Sequence, residues 1–272
     1  MRHMFFAERE VAKIPGITKQ TPVQKIEKAA VIGSGTMGGG IAMNFANAGI
    51  AVNLVDVSDE ALTAGLEKIR GNYAGSVSRG RLTQDKMDER MALISSTTSY
   101  SDLADTDIVI EAVFEDMDLK KKIFSELDAA CKPETILASN TSSLDINEIG
   151  AATSRPDKVC GAHFFSPANV MKLMENVRTA AASDETIATL MKLSKTLGKT
   201  GVLVGVGDGF VGNRMLHVAA RIAEFMVEEG ALPWEVDQVI YDFGFPMGPF
   251  SMNDLAGIDV RYSIRQEQLK LY

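Results

Sequence analysis

From about Ile26 onward, short apolar runs alternate with segments whose apolar residues recur at helical spacing. The runs are Ala29-Ala30-Val31-Ile32, Ala51-Val52-Asn53-Leu54-Val55, and stretches at 108–113, 135–139, 159–165, 171–177 and 200–206. The run at 108–113 is apolar almost throughout, as in a parallel strand covered on both faces. Between the runs, the spacing predicts helices starting near Thr36 and over 59–72, 83–92, 117–131, 144–150 and 184–198. Ala61, Leu62, Leu66 and Ile69 form the buried face of the second. Ser58 and Thr83 stand at N-cap positions, and Ser76–Arg81 reads as a polar, basic break. The runs at 159–165 and 171–177, joined by Ser166-Pro167-Ala168-Asn169, read as a hairpin. The whole pattern predicts an α/β fold with a doubly wound, mostly parallel sheet.

Both ends differ from this middle. Residues 2–13 predict a short helix with Phe5, Phe6 and Val11 on its apolar side, stopped by Ile14-Pro15-Gly16, and residues 17–25 read as a linker. After Gly207-Asp208-Gly209 the pattern becomes helical, over 210–230 and 233–243, with no further strand. Three segments follow: 1–25 as linker helix and linker, 26–207 as the α/β domain, and 208–272 as a helical domain.

The first strand runs into Gly33-Ser34-Gly35-Thr36-Met37-Gly38, and the second ends in Asp56. Strand, G-x-G-x-x-G, helix, strand and acid together make a dinucleotide-binding fingerprint of Rossmann type. Gly33 permits the tight turn, Gly35 lets a pyrophosphate approach the backbone, and Gly38 lets helix and sheet pack closely. The helix start at Thr36 and Met37 faces the phosphates with free N–H groups. Asp56 would accept hydrogen bonds from ribose hydroxyls and repel a 2′-phosphate. Val57-Ser58 supplies no arginine, so NAD is expected over NADP.

Composition narrows the picture further. A net charge of −8 disfavours nucleic acid as a partner, and no apolar run reaches a membrane span. Cys131 and Cys160 show no metal-ligand spacing. The start of the chain lacks the pattern of a secretory signal, and a cytoplasmic protein is expected.

Candidate chemistry lies beyond the fingerprint. His163 ends an apolar run, and a histidine titrating near neutrality can take a proton from an alcohol. Glu175, on the facing arm of the hairpin, could orient one ring nitrogen. On spacing alone, a buried histidine satisfied by a backbone carbonyl is the slightly favoured reading. Asn140-Thr141-Ser142-Ser143 follows a strand end, where open α/β sheets bind ligands; it also suits the start of the 144–150 helix. Asn213 sits in the first turn of the boundary helix, as a cleft residue or a plain helix-start residue.

Taken together, Ala138–Leu144, His163-Phe164-Phe165-Ser166-Pro167, Met171–Glu175 and Gly209-Phe210-Val211-Gly212-Asn213-Arg214 resemble the L-3-hydroxyacyl-CoA dehydrogenase family. Phe245–Phe250 resembles a motif of that family's helical C-terminal domain, and residues 2–16 resemble the linker helix of multifunctional fatty-acid oxidation proteins. The resemblance implies NAD-dependent oxidation of an L-3-hydroxyacyl-CoA to a 3-ketoacyl-CoA. His163 matches the catalytic base and Glu175 its partner; Ser142 and Asn213 match residues that position the substrate and its C3 oxygen. Glu115 and Lys120 match cofactor contacts, and Asn140 and Ser142, in the Ala138–Leu144 motif, are expected on the cofactor side as well. The implied partners are an acyl-CoA thioester and, within a larger multifunctional protein, a second copy or a thiolase subunit. Arg79 and Arg81 could meet CoA phosphates, although a solvated basic face is the stronger reading of them. Ser166 stands where simpler members often carry Asn, and Asp208 where Pro usually precedes Gly209-Phe210. The family's helical domain usually continues beyond the point matching Tyr272, so a partial C-terminal domain is expected. The alternatives are an NAD- and CoA-thioester-binding module with little turnover, or another β-hydroxyacid dehydrogenase.

Overall fold

A computed structural model describes residues 2–258 and Tyr262. The part of the expected helical domain at 259–261 and 263–272 lies outside the described residues. In chain order the elements are α1 (Arg2–Glu10), β1 (Lys28–Ile32), α2 (Thr36–Asn47), β2 (Ala51–Val55), α3 (Asp59–Ser78) and α4 (Gln84–Ala92). Next come β3 (Ile94–Thr97), β4 (Ile108–Glu111), α5 (Met117–Ala130), β5 (Ile136–Ser139), α6 (Ile146–Gly150), β6 (Val159–Phe164) and β7 (Leu173–Arg178). The chain continues through α7 (Asp184–Thr196), β8 (Thr200–Gly205), α8 (Gly212–Glu228), α9 (Pro233–Phe243) and α10 (Pro249–Ala256). Two compact units result, Met1–Phe210 and Val211–Tyr272.

The first unit is built on one eight-stranded sheet in the order β3-β2-β1-β4-β5-β6-β7-β8. Neighbours from β3 across to β6 are parallel; β7 pairs antiparallel to β6, and β8 lies parallel to β7. The near-continuous apolar runs have a direct physical cause. Alternate residues of one strand enter opposite cores: Ala29 and Val31 pack with Ile41, Phe45 and Ile69, while Ala30 and Ile32 pack with Phe124 and Leu127. Cys131 and Cys160 are buried free thiols, and burial pushes them up to about 11 and about 12.

Three local features depart from the sequence reading. β3, Ile94-Ser95-Ser96-Thr97, was not expected: it holds one apolar residue and lies at the sheet edge, where little burial is required. Helix α3 continues to Ser78 through the first half of the expected break. Tyr73 is buried in the core there, its hydroxyl 2.9 Å from Asn47 Oδ1, and the chain turns only at Arg79 and Gly80. Helix α10 was not anticipated either. It begins at Pro249, and Asp237 on α9 accepts hydrogen bonds from the N–H groups of Phe250 and Ser251. Every regular element described in the second unit is helical.

Candidate active site

Parallel pairing gathers the C-terminal ends of β1, β2, β4 and β5 on one rim, because Ile32 pairs with Val55 and Glu111, and Glu111 with Ser139. The dinucleotide turn leaves β1 at this rim. Gly33 adopts φ +99°, and a Cβ there would lie 2.7 Å from Ala112 O. A Cβ on Gly38 would lie 1.8 Å from Gly33 O, so turn and helix fit only without side chains. Gly35 is different: a Cβ there meets nothing within 4 Å. The space above Gly35 is open, and no side chain caps the start of α2, where Thr36 and Met37 follow. An uncapped helix N-terminus facing open space suits a pyrophosphate.

Asp56 follows β2 beside this turn. Its Oδ2 accepts the Ser34 N–H at 2.7 Å and the Ser34 hydroxyl at 2.6 Å, and its Oδ1 accepts the Val57 N–H at 2.7 Å. Burial pushes the carboxyl up, but these hydrogen bonds outweigh it and hold Asp56 below the usual carboxylate range. The residue is therefore an anchored anion.

The ends of β4 and β5 carry a second charged cluster. Glu111 and Lys120 are both buried, with Lys120 Nζ 2.6 Å from Glu111 Oε1. Glu111 also accepts the Val113 N–H at 2.8 Å and the Ser139 hydroxyl at 2.6 Å. Lys120 Nζ lies 3.5 Å from Glu115 Oε2, and Glu115 Oε1 accepts from Thr141, from the Ser142 N–H at 3.0 Å and from the Ser143 hydroxyl. Burial raises the Glu115 pKa, whereas Lys120 and these donors lower it further, and the net displacement is downward. Lys120, read from the sequence as a cofactor contact, thus sits behind Glu115 with its ammonium in the interior. Asn140 ties the loop to β6, its Oδ1 accepting the Phe164 N–H at 2.8 Å.

His163 and Glu175 face each other directly in the antiparallel register of β6 and β7. Nδ1 of His163 lies 2.8 Å from Glu175 Oε2, and both side chains are buried. With a carboxylate as partner, Nδ1 carries the ring proton and the Nε2 lone pair can accept one. The rings of Phe165 and Phe210 stand 4.6 Å and 5.5 Å from the imidazole. A carbonyl-satisfied core histidine, the other reading of the sequence, is not what this strand pair holds.

Two family models match this chain. The model for the 3-hydroxyacyl-CoA dehydrogenase NAD binding domain matches residues 28–222, and that for the C-terminal domain matches residues 209–272. The chain belongs to the 3-hydroxyacyl-CoA dehydrogenase family. It is 43% identical over 259 residues to the peroxisomal fatty acid beta-oxidation multifunctional protein of Arabidopsis thaliana, covering 95% of this chain and 36% of that one. The human peroxisomal bifunctional enzyme is 44% identical, over 98% of this chain and 37% of its own. The chain therefore spans about a third of the length of these relatives. Among solved structures, (S)-3-hydroxybutyryl-CoA dehydrogenase from Ralstonia eutropha superposes with a TM-score of 0.83 at 37% identity, over 89% of this chain and 86% of that one.

One expectation changes at this point. The names of both multifunctional relatives place those proteins in peroxisomes, so a cytoplasmic location draws no support from them. Among the described residues no helix is long and apolar enough to cross a membrane. Sequence reasoning missed Glu111, whose signal was an acid inside the otherwise apolar run Ile108–Val113. Asn213 is the second residue of α8, in the second unit, while every contact of this site described above lies within the first.

Proposed function

We propose that this chain oxidises an L-3-hydroxyacyl-CoA to the 3-ketoacyl-CoA, as the dehydrogenase segment of fatty-acid β-oxidation. The observation that carries the reading is the buried His163–Glu175 pair on the same sheet as an uncapped dinucleotide turn. Residues 26–207 would form the nucleotide-binding domain, 208–272 a helical domain, and 1–25 a linker.

NAD fits the residues present: Gly33, Gly35, Thr36, Met37 and Gly38 would hold its pyrophosphate, and Asp56 its adenosine ribose. When bound, NAD supplies a hydride acceptor. Glu115 would face the cofactor with its carboxylate, and Lys120 would set the charge behind it. His163 Nε2 takes the proton of the C3 hydroxyl, and Glu175 stabilises the resulting imidazolium through the Nδ1–H bond. Phe165 and Phe210, 4.6 Å and 5.5 Å from the imidazole, give it apolar neighbours, and a low-dielectric surround strengthens that charge pairing. Ser142, Asn140 and Asn213 are carried over as contacts for the substrate or nicotinamide on the family motifs alone. An acyl-CoA thioester is the proposed partner; association with a second copy or a thiolase subunit belongs to the same proposal.

His163→Gln tests the base. NADH formation from 3-hydroxybutyryl-CoA should fall by a factor on the order of 10²–10⁴ while NAD still binds. Turnover near that of the unmodified chain would overturn the role of His163.

A further inference from the structure

The turn that joins β6 to β7 separates His163 from Glu175 in sequence, and it is held from two sides. Asn44, buried on α2, donates from Nδ2 to Ala168 O at 2.9 Å. Lys199, just before β8, donates from Nζ to the same carbonyl at 2.6 Å and to Met171 O at 2.7 Å. The Lys199 ammonium also lies 5.9 Å from the ring centroid of Phe164, the neighbour of His163. On α2, a Cβ at Gly40 would stand 3.0 Å from the Ala168 Cβ, so the turn rests directly on the dinucleotide helix. The turn carries its own bonds as well, with the N–H groups of Val170 and Met171 donating to Pro167 O.

Three parts of the chain therefore meet at Ala168: the helix behind the glycine turn, the hairpin of the histidine pair, and the residue that leads into the last strand of the sheet. We propose that Lys199, together with Asn44, is a positioning residue that fixes the 165–172 turn on α2 and so sets His163 and Glu175 relative to the dinucleotide turn. The inference rests on the functional reading above. The physical reason is that hairpin strands are free to splay at a turn unless it is anchored. One ammonium satisfying two carbonyls, with an amide on the same oxygen, supplies the anchor.

The test uses the full chain with Lys199→Met and Lys199→Arg. Lys199→Met should lower kcat with 3-hydroxybutyryl-CoA on the order of tenfold, with the NAD dissociation constant unchanged and partial recovery in Lys199→Arg. A second readout does not need the reaction. With ¹⁵N-labelled histidine, the ring signals of His163 can be assigned among the chain's 3 histidines by comparison with His163→Gln. These signals should move in Lys199→Met and return towards their positions in Lys199→Arg. A kcat within about twofold and superimposable His163 signals would overturn the inference. Should Lys199→Met fail to fold, Gly40→Ala presses on the same turn from the α2 side and is expected to move the same signals. Absence of turnover in the unmodified chain would refute the functional reading, and the ring signals would still decide the role of Lys199.

Discussion

Glu111 and Lys120 show how much one residue's surroundings decide. Each is a charge taken almost wholly out of water, which is tolerable only because the partner, a backbone N–H and a serine hydroxyl satisfy the carboxylate. Removing one partner leaves the other buried and uncompensated. Lys120→Met is expected to cost about 3–5 kcal/mol of stability in urea unfolding. Glu111→Gln should cost less, because Glu115 remains 3.5 Å from the ammonium. The double change Glu111→Leu with Lys120→Met should recover much of the loss, since no charge is then stranded. At this scale the family resemblance picked out Glu115 and Lys120 as expected cofactor contacts. It could not show that the ammonium turns inward, because that depends on a carboxylate nine residues earlier on another element.

Among elements, the turn from β1 into α2 separates packing from binding. Gly38 has no room for a methyl group, whereas Gly35 has ordinary extended geometry and open space around it. Gly38→Ala should therefore lose stability, by roughly 1–3 kcal/mol or more, along with NAD binding. Gly35→Ala should keep its melting temperature and weaken NAD binding alone, because the added methyl group occupies the space proposed for the phosphates. Thermal unfolding and NAD titration on the two variants check this. The spacing G-x-G-x-x-G already suggests different jobs for the two glycines, and the packed turn adds the space around each. Strand β3 and helix α10 escaped the reading because their stabilising partners, the β2 edge and Asp237, come from elsewhere in the chain.

Over the whole molecule, several anchored carboxylates make stability depend on acid. Asp107 accepts from the N–H groups of Glu27 and Lys28 and from Lys132; Asp128 accepts from Ser154 and Arg155; Glu115 pairs with Lys120 and the 141–143 loop. In each, burial pushes the carboxyl up, and the donors outweigh it, so the folded value lies below the ordinary 3.8 of Asp or 4.5 of Glu. A lowered folded value means that the unfolded chain takes up protons first. Their contribution is fully present above the unfolded values and is lost as pH falls through the folded ones. Unfolding free energy should hold from neutrality to roughly pH 5 and decline below it. A value that stayed constant down to pH 3 would contradict this account.

The hydrophobic pattern and the glycine motif determined the α/β fold, the glycine turn and the acid at the end of the second strand, because these depend on periodicity and on residues close together in sequence. The antiparallel hairpin also followed from local signals. The tertiary structure decided what links distant segments: that His163 and Glu175 sit in register at bonding distance, that Lys120 faces inward to Glu111, and that Asn44 and Lys199 donate to one carbonyl. Those contacts join residues up to 124 positions apart. No local period records such separations; they exist only once the sheet has brought its strand ends to one rim.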